Sequence, residues 1–163
     1  MLNSFLIWKK PQINTNRAPP KRSSNHAAVV TLLDRAEAQG VKNIFYSDPE
    51  NLDVDTNCER RNFCRGECAR RQLNFSTLLP AQYPPDSAIF AINDEAALKL
   101  VGQPVQIYSI DGLETSRRQG VISYRQPMAE LAKKCFYSLQ QQRKLGSKWR
   151  AKEYRLQNEE PFA

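Results

Sequence analysis

Pro84-Pro85-Asp86-Ser87-Ala88-Ile89-Phe90-Ala91-Ile92-Asn93-Asp94-Glu95-Ala96-Ala97-Leu98 reads as a turn, a strand and a capped helix in direct succession. The two prolines close off a linker. Ala88 to Ile92 is a short, continuous apolar run of strand length. Asn93 is a favoured N-cap residue, because its side-chain oxygen accepts from an otherwise orphaned helix N–H. Asp94 and Glu95 place anions in the first turn, where the helix dipole favours them. Gly102 ends the helix, predicted over 94–101.

Working outward, Val105 to Ile110 predicts a strand, Asp111-Gly112 a turn, and Gly120 to Tyr124 a strand pairing with the one before it across a loop holding Arg117 and Arg118. Upstream, Ser23, Ser24 or Asn25 can cap a helix to about Gln39, stopped by Gly40. Its core face is Val29, Leu32, Leu33 and Ala36, at helical spacing. Asn43 to Ser47 reads as a strand, followed by the turn Asp48-Pro49-Glu50-Asn51. Pro127 opens the most periodic helix. Met128, Leu131, Ala132, Cys135, Phe136 and Leu139 form a stripe expected to face the core, and Gly146 is its C-cap.

These elements outline an α+β domain, a small mixed fold of short strands with three to four helices behind a basic flexible N-terminal arm. The arm is 1–23 and the domain 24–146, with a candidate linker at 76–87. The basic tail, 147–163, reads equally as strand or helix. The 163 residues suit one domain with arms. The apolar run Phe5-Leu6-Ile7-Trp8 is too short for a signal-peptide core and precedes Lys9 and Lys10. No apolar stretch nears the ~20 residues of a membrane-spanning helix. A cytoplasmic protein with no membrane partner is expected, its cysteines reduced or metal-bound.

The densest chemistry lies in Thr56-Asn-Cys-Glu-Arg-Arg-Asn-Phe-Cys-Arg-Gly-Glu-Cys-Ala-Arg-Arg71. Thr56 and Glu59 form a capping box for a helix to about Leu73. On a helical wheel Arg60, Arg61, Arg65 and Arg71 share a broad side with Cys64 and Cys68, while Phe63 and Leu73 point to the core. Such a face can track phosphates. The alternative is ion pairing with the acidic segment 48–55. The net charge of +7 is segregated, with further cations at Arg117, Arg118, Lys144, Lys148, Arg150 and Lys152. Segregation suits a polyanion, because each neutralised phosphate releases counterions; the alternative is a solvated basic face. Cys58, Cys64 and Cys68 are candidate metal ligands. Their spacing departs from paired Cys-x2-Cys zinc sites, and Cys135 or His26 would have to complete the set. Buried reduced thiols are the competing reading, and no cofactor other than zinc is suggested.

Catalysis is not expected. One histidine, scattered glycines and no Ser/His/Asp or Cys/His arrangement leave no legible catalytic constellation. The acidic turn lacks the glycine and closing glutamate of a calcium loop.

In order along the chain, Ala36 to Ile44, Pro49 to Leu52 with Glu59-Arg60 and Phe63, Pro84 to Leu98, Val105 to Asp111, and Arg125 to Leu131 resemble the effector domain of the lactose-repressor family, over about 36–135 with gaps. That resemblance implies an α/β sensing lobe with Asn93, Asp94 and Asp111 near a small-molecule cleft. Glu59-Arg60-Arg61-Asn62-Phe63-Cys64 also looks like the Arg-x-x-Phe/Tyr-Cys signature of PerC-type and AraC-negative-regulator proteins. Both resemblances imply gene regulation. The leading expectation is a small regulatory protein that binds nucleic acid or the transcription machinery. The alternatives are a protein–protein adaptor or inhibitor from a mobile element, and a ligand-sensing lobe. Oligomeric state is open.

Overall fold

A computed structural model describes residues 24–49 and 55–150. The arm 1–23, and Lys152 with most of the tail, lie outside them. The elements are α1 (Ser24–Ala38), β1 (Asn43–Ser47), α2 (Asp55–Arg70), β2 (Asn74–Ser76), β3 (Ser87–Ala91), α3 (Asp94–Leu98), β4 (Gln106–Asp111), α4 (Glu114–Arg118), β5 (Ile122–Arg125) and α5 (Met128–Leu145), then a 3-10 turn at Gly146–Lys148. The mixed domain of short strands and helices is thus what the chain forms, with five α-helices among the described residues. All strands are parallel, in the order β2-β1-β3-β4-β5. β5 does pair with β4, but α4 carries the chain between them, so the pairing is a crossover and not a hairpin.

The first four helices bury the sheet from two sides. Register rows place Tyr46, Phe90 and Tyr108 on one face. There Val29, Leu32, Leu33 and Ala36 of α1 and Cys64 and Cys68 of α2 complete the core. Tyr46 stacks on Phe90, ring centroids 5.9 Å apart. On the opposite face, α3 and α4 cover β4 and β5. Strand β3 is enclosed on both sides, which is why Ala88 to Ile92 is apolar without alternation. The segment 77–86 joins β2 to β3 and lays Tyr83 edge-on against Phe45 at 5.4 Å.

Two expectations about helix faces are overturned. The stripe on α5 does not face the core. No α5 residue is buried, and Phe136 and Leu139 are 64% and 61% exposed. The sheet already has its covering helices, and α5 leaves the end of β5 beyond them. On α2 the side expected to face outward is the buried one. Arg60, Cys64, Glu67 and Cys68 point inward, at i, i+4, i+7 and i+8. Polar character misled there, because these polar groups are satisfied by partners on α1 and beyond β3.

Gly112 is required where it stands. Its φ is 76°, and a Cβ there would lie 2.4 Å from the Arg125 Cα. Only glycine lets the chain leaving β4 cross so close to β5.

Candidate functional site

The strand order reverses between β1 and β3, since β1 leads out to β2 while β3 leads to β4. In open parallel sheets the crevice outside the carboxyl ends of the strands at such a point is where ligands bind. Here it is bridged by Arg60, which is 7% exposed. Its Nη1 donates to the Ile92 carbonyl, just past β3, at 2.8 Å, and its Nε donates to Asn25 Oδ1 at 3.2 Å. Its Nη2 lies 3.6 Å from Asp111 Oδ1, which also accepts from Gln126 Nε2 at 2.7 Å. Asp111 has φ 151°, a backbone conformation rare for side chains other than glycine.

Two polar atoms at this edge are buried with no hydrogen-bond partner among the described residues, the Tyr46 hydroxyl and Asp48 Oδ2. Burial holds the Tyr46 phenol well above its usual range, with Cys64 and Asp48 adding to the shift and Arg60 opposing it. It therefore stays a protonated donor. Burial also raises the Asp111 carboxyl, outweighing the opposing effect of Arg60 and Gln126. The edge thus gathers a buried phenol donor, two carboxylates, a pinned guanidinium and an amide.

The other residues implied by the resemblance have structural partners. Asn93 caps α3 by accepting from Ala96 N–H at 2.8 Å. Asp94 is fully buried. Its Oδ1 accepts from the hydroxyls of Ser109 and Ser123, which face each other across β4 and β5, and its Oδ2 accepts from Leu113 N–H at 2.7 Å. Asp94 is the clasp joining α3, β4, β5 and the start of α4. Of the three, Asp111 is the one at the crevice with a partly exposed side chain, 32%.

The arginine set does not form one surface. The Arg71 side chain is 6% exposed and pairs with Asp34 at 2.6 Å, with Glu37, and with Glu67 at 3.4 Å. Burial tends to raise the Glu67 carboxyl, but hydrogen bonds from Arg70, His26 and Arg71 hold it below the usual range. Arg61 lies 3.7 Å from Cys58 Sγ, and Arg65 sits 5.5 Å over the Phe75 ring. At the other end of the sheet, Arg117 and Arg118 both pair with Glu114, and their hydrogen bonds pull its carboxyl down to about 2. Lys144 and Lys148 are exposed at the end of α5, and Arg150 donates to the carbonyls of Ser147 and Trp149.

Among the described residues no group of three or more His, Cys, Asp or Glu is arranged to hold a metal. Cys64 and Cys68 are fully buried, and burial, then the hydrogen bond with Cys68, pushes the Cys64 thiol far up. A thiol held that far up, as at Cys64, is a poor nucleophile. Cys58 is half-buried and does not join them in a metal cluster. Two concave pockets lie on the β4 and β5 side of the molecule. One, of about 230 Å³, runs beside β5 past Arg35, Gly112 and Arg125, and one of about 310 Å³ lies near Val101 to Ile107; the two share Gly120 and Val121 in their walls. Both are at or below the small end for ligand sites, and neither collects the convergent groups of the crevice. No described helix is long and apolar enough to cross a membrane.

Residues that sequence reading missed as site members are Tyr46, Asp48, Asn25 and Gln126. Each is unremarkable alone; the ends of parallel strands bring them together.

No family model matches the chain, and no curated protein does. Among solved structures, the trehalose repressor from Escherichia coli has a similar fold, with a TM-score of 0.59 at 17% identity. The match covers 83% of this chain, which thereby spans 59% of the repressor chain. The resemblance to a lactose-repressor-family lobe read from the sequence is therefore borne out as a resemblance of fold.

Proposed function

We propose that this chain is a non-catalytic sensing lobe of a transcriptional regulator, binding a small hydroxyl-rich molecule at the crevice between β1 and β3. What supports this is the convergence, at the point of strand reversal, of a buried unpartnered phenol and carboxylate with Asp111 held in a rare backbone conformation. Arg60 and Gln126 fix the Asp111 carboxylate, so a ligand would meet a preset geometry. The similar fold of a repressor is consistent with this reading. No cofactor takes part.

A thermal-shift screen with sugars and nucleosides tests it. A ligand at about 100 times its Kd stabilises by roughly 2.7 kcal/mol. The expected result is at least one stabiliser whose shift is lost in Asp111→Asn. An empty screen, or a shift that survives Asp111→Asn, refutes the reading.

A second reading, binding of nucleic acid or of an acidic partner in the transcription machinery, is favoured by the distribution of charge. Between residues 24 and 127 the described cations and carboxylates are equal in number, eleven each, so the excess lies on α5 and the terminal segments. Lys144→Glu with Lys148→Glu should then weaken binding to DNA or RNA and flatten its salt dependence. Salt-independent or absent binding removes this reading.

A further inference from the structure

We propose that the exposed apolar stripe of α5 is the docking surface for this chain's own N-terminal apolar segment, Phe5-Leu6-Ile7-Trp8. This inference does not depend on the sensing role. Three observations carry it. First, α5 has an apolar stripe that no described residue covers: Met128, Leu131, Phe136 and Leu139 are 58%, 39%, 64% and 61% exposed. A contiguous apolar patch of that kind marks a place where something binds.

Second, α1 begins beside the root of α5. Asn25 binds Arg60, Arg60 faces Asp111, and Asp111 holds Gln126, two residues before α5 begins. The start of α1 and the start of α5 are therefore joined by a short series of side-chain contacts. Third, reach and composition match. The 15 residues from Lys9 to Ser23 can span at most about 50 Å. The 18 residues of α5 are about 27 Å long. The quartet can therefore lie anywhere along the stripe.

Met1 to Trp8 contains no charged side chain, so the cations of the arm, which begin at Lys9, need not enter the contact. On a helical wheel Lys133 and Lys134 flank the stripe and do not interrupt it. Tethering makes the encounter intramolecular, with an effective concentration in the millimolar range. That favours the cis segment over a second copy, whose α5 would also bring its excess of lysine and arginine into the pairing.

The full chain carries two tryptophans, Trp8 and Trp149, so Trp149→Phe leaves Trp8 as sole reporter. The expected result is blue-shifted Trp8 emission, protected from iodide, in a particle of single-chain mass. Phe136→Asp with Leu139→Asp should abolish both shift and protection. The unfolding midpoint of the sheet domain should not move, because neither side chain belongs to its core. Solvent-like Trp8 emission in the parent overturns the proposal. So does a blue shift that vanishes on dilution together with a doubled mass, which would assign the stripe to a second copy. Emission unchanged by the two aspartates would place Trp8 elsewhere and also overturn it.

Discussion

Replacing Asp94 by alanine tests whether this carboxylate holds the fold or serves a ligand. It is fully buried and accepts three hydrogen bonds, from the Ser109 and Ser123 hydroxyls and from Leu113 N–H. A buried donor left unpaired costs roughly 1–3 kcal/mol. The hydroxyls can rotate toward other acceptors, but the Leu113 N–H is fixed by the backbone. The expected loss is therefore about 3–5 kcal/mol, in the range of the larger single-site effects. With a urea slope of about 1–3 kcal/mol per M, the unfolding midpoint should fall by roughly 2 M. Asp94→Asn should lose less, since one acceptor oxygen remains. Adding Ser109→Ala and Ser123→Ala to Asp94→Ala removes the stranded hydroxyls, so the triple variant should be less destabilised than the sum of its parts. Equilibrium urea unfolding followed by circular dichroism reads all of these. A loss under about 1 kcal/mol for Asp94→Ala, or strict additivity, would refute the clasp.

Tyr46→Phe should be neutral or stabilise the free protein by about 1 kcal/mol in the same assay, because it removes a buried hydroxyl with no partner among the described residues; a loss above 1 kcal/mol would mean the hydroxyl is already satisfied. The Glu67 carboxyl sits below its usual range when folded, so its contribution is present above the unfolded pKa of about 4.3 and fades as pH falls through the folded value. Glu67→Gln should accordingly flatten the stability profile below about pH 4.5, and an unchanged acid limb would remove Glu67 from the account. Gly112→Ala should cost several kcal/mol, as the new methyl meets Arg125 Cα at 2.4 Å in a left-handed backbone; a fully stable variant would show that the β4–α4 junction can move aside.

Much of the fold could be read from local signals because those signals are local in origin. Asn93 caps α3 through an oxygen three residues from the N–H it accepts from, so sequence spacing alone reveals it. The α1 stripe and the β1 run fall where they were expected for the same reason. The elements that went unread are those whose stability is borrowed. β2 is three residues long and has no usable period, and it exists because β1 supplies its hydrogen bonds. α4 has no side-chain cap and no apolar period; Asp94 anchors its entrance and Glu114 gathers its two arginines. The crevice is less legible still. Tyr46, Arg60 and Asp111 are separated by whole elements and meet only through strand order, which short crossovers do not encode locally.

The two face assignments that failed share one physical cause. Periodicity shows that a helix has two unlike sides, but it does not say what each side meets. On α5 the apolar side meets nothing among the described residues, although its pattern is the most regular in the chain. On α2 the buried side carries an arginine, a glutamate and two cysteines, and the Arg71 side chain just past its end is enclosed as well; a hydropathy rule would send the charged groups to solvent. Arg71 can be buried there because Asp34, Glu37 and Glu67 surround it, and Arg60 because it fills the carbonyl of Ile92 and faces Asp111. A buried charge is tolerated only when paired and hydrogen-bonded. Arg60, Arg70 and Arg71 are thus matched by Asp111, Glu67, Asp34 and Glu37, while the excess of cations in the sequence lies on α5 and in the terminal segments. The β1–β3 crevice is left with polar groups of both signs, held close together by the folded chain.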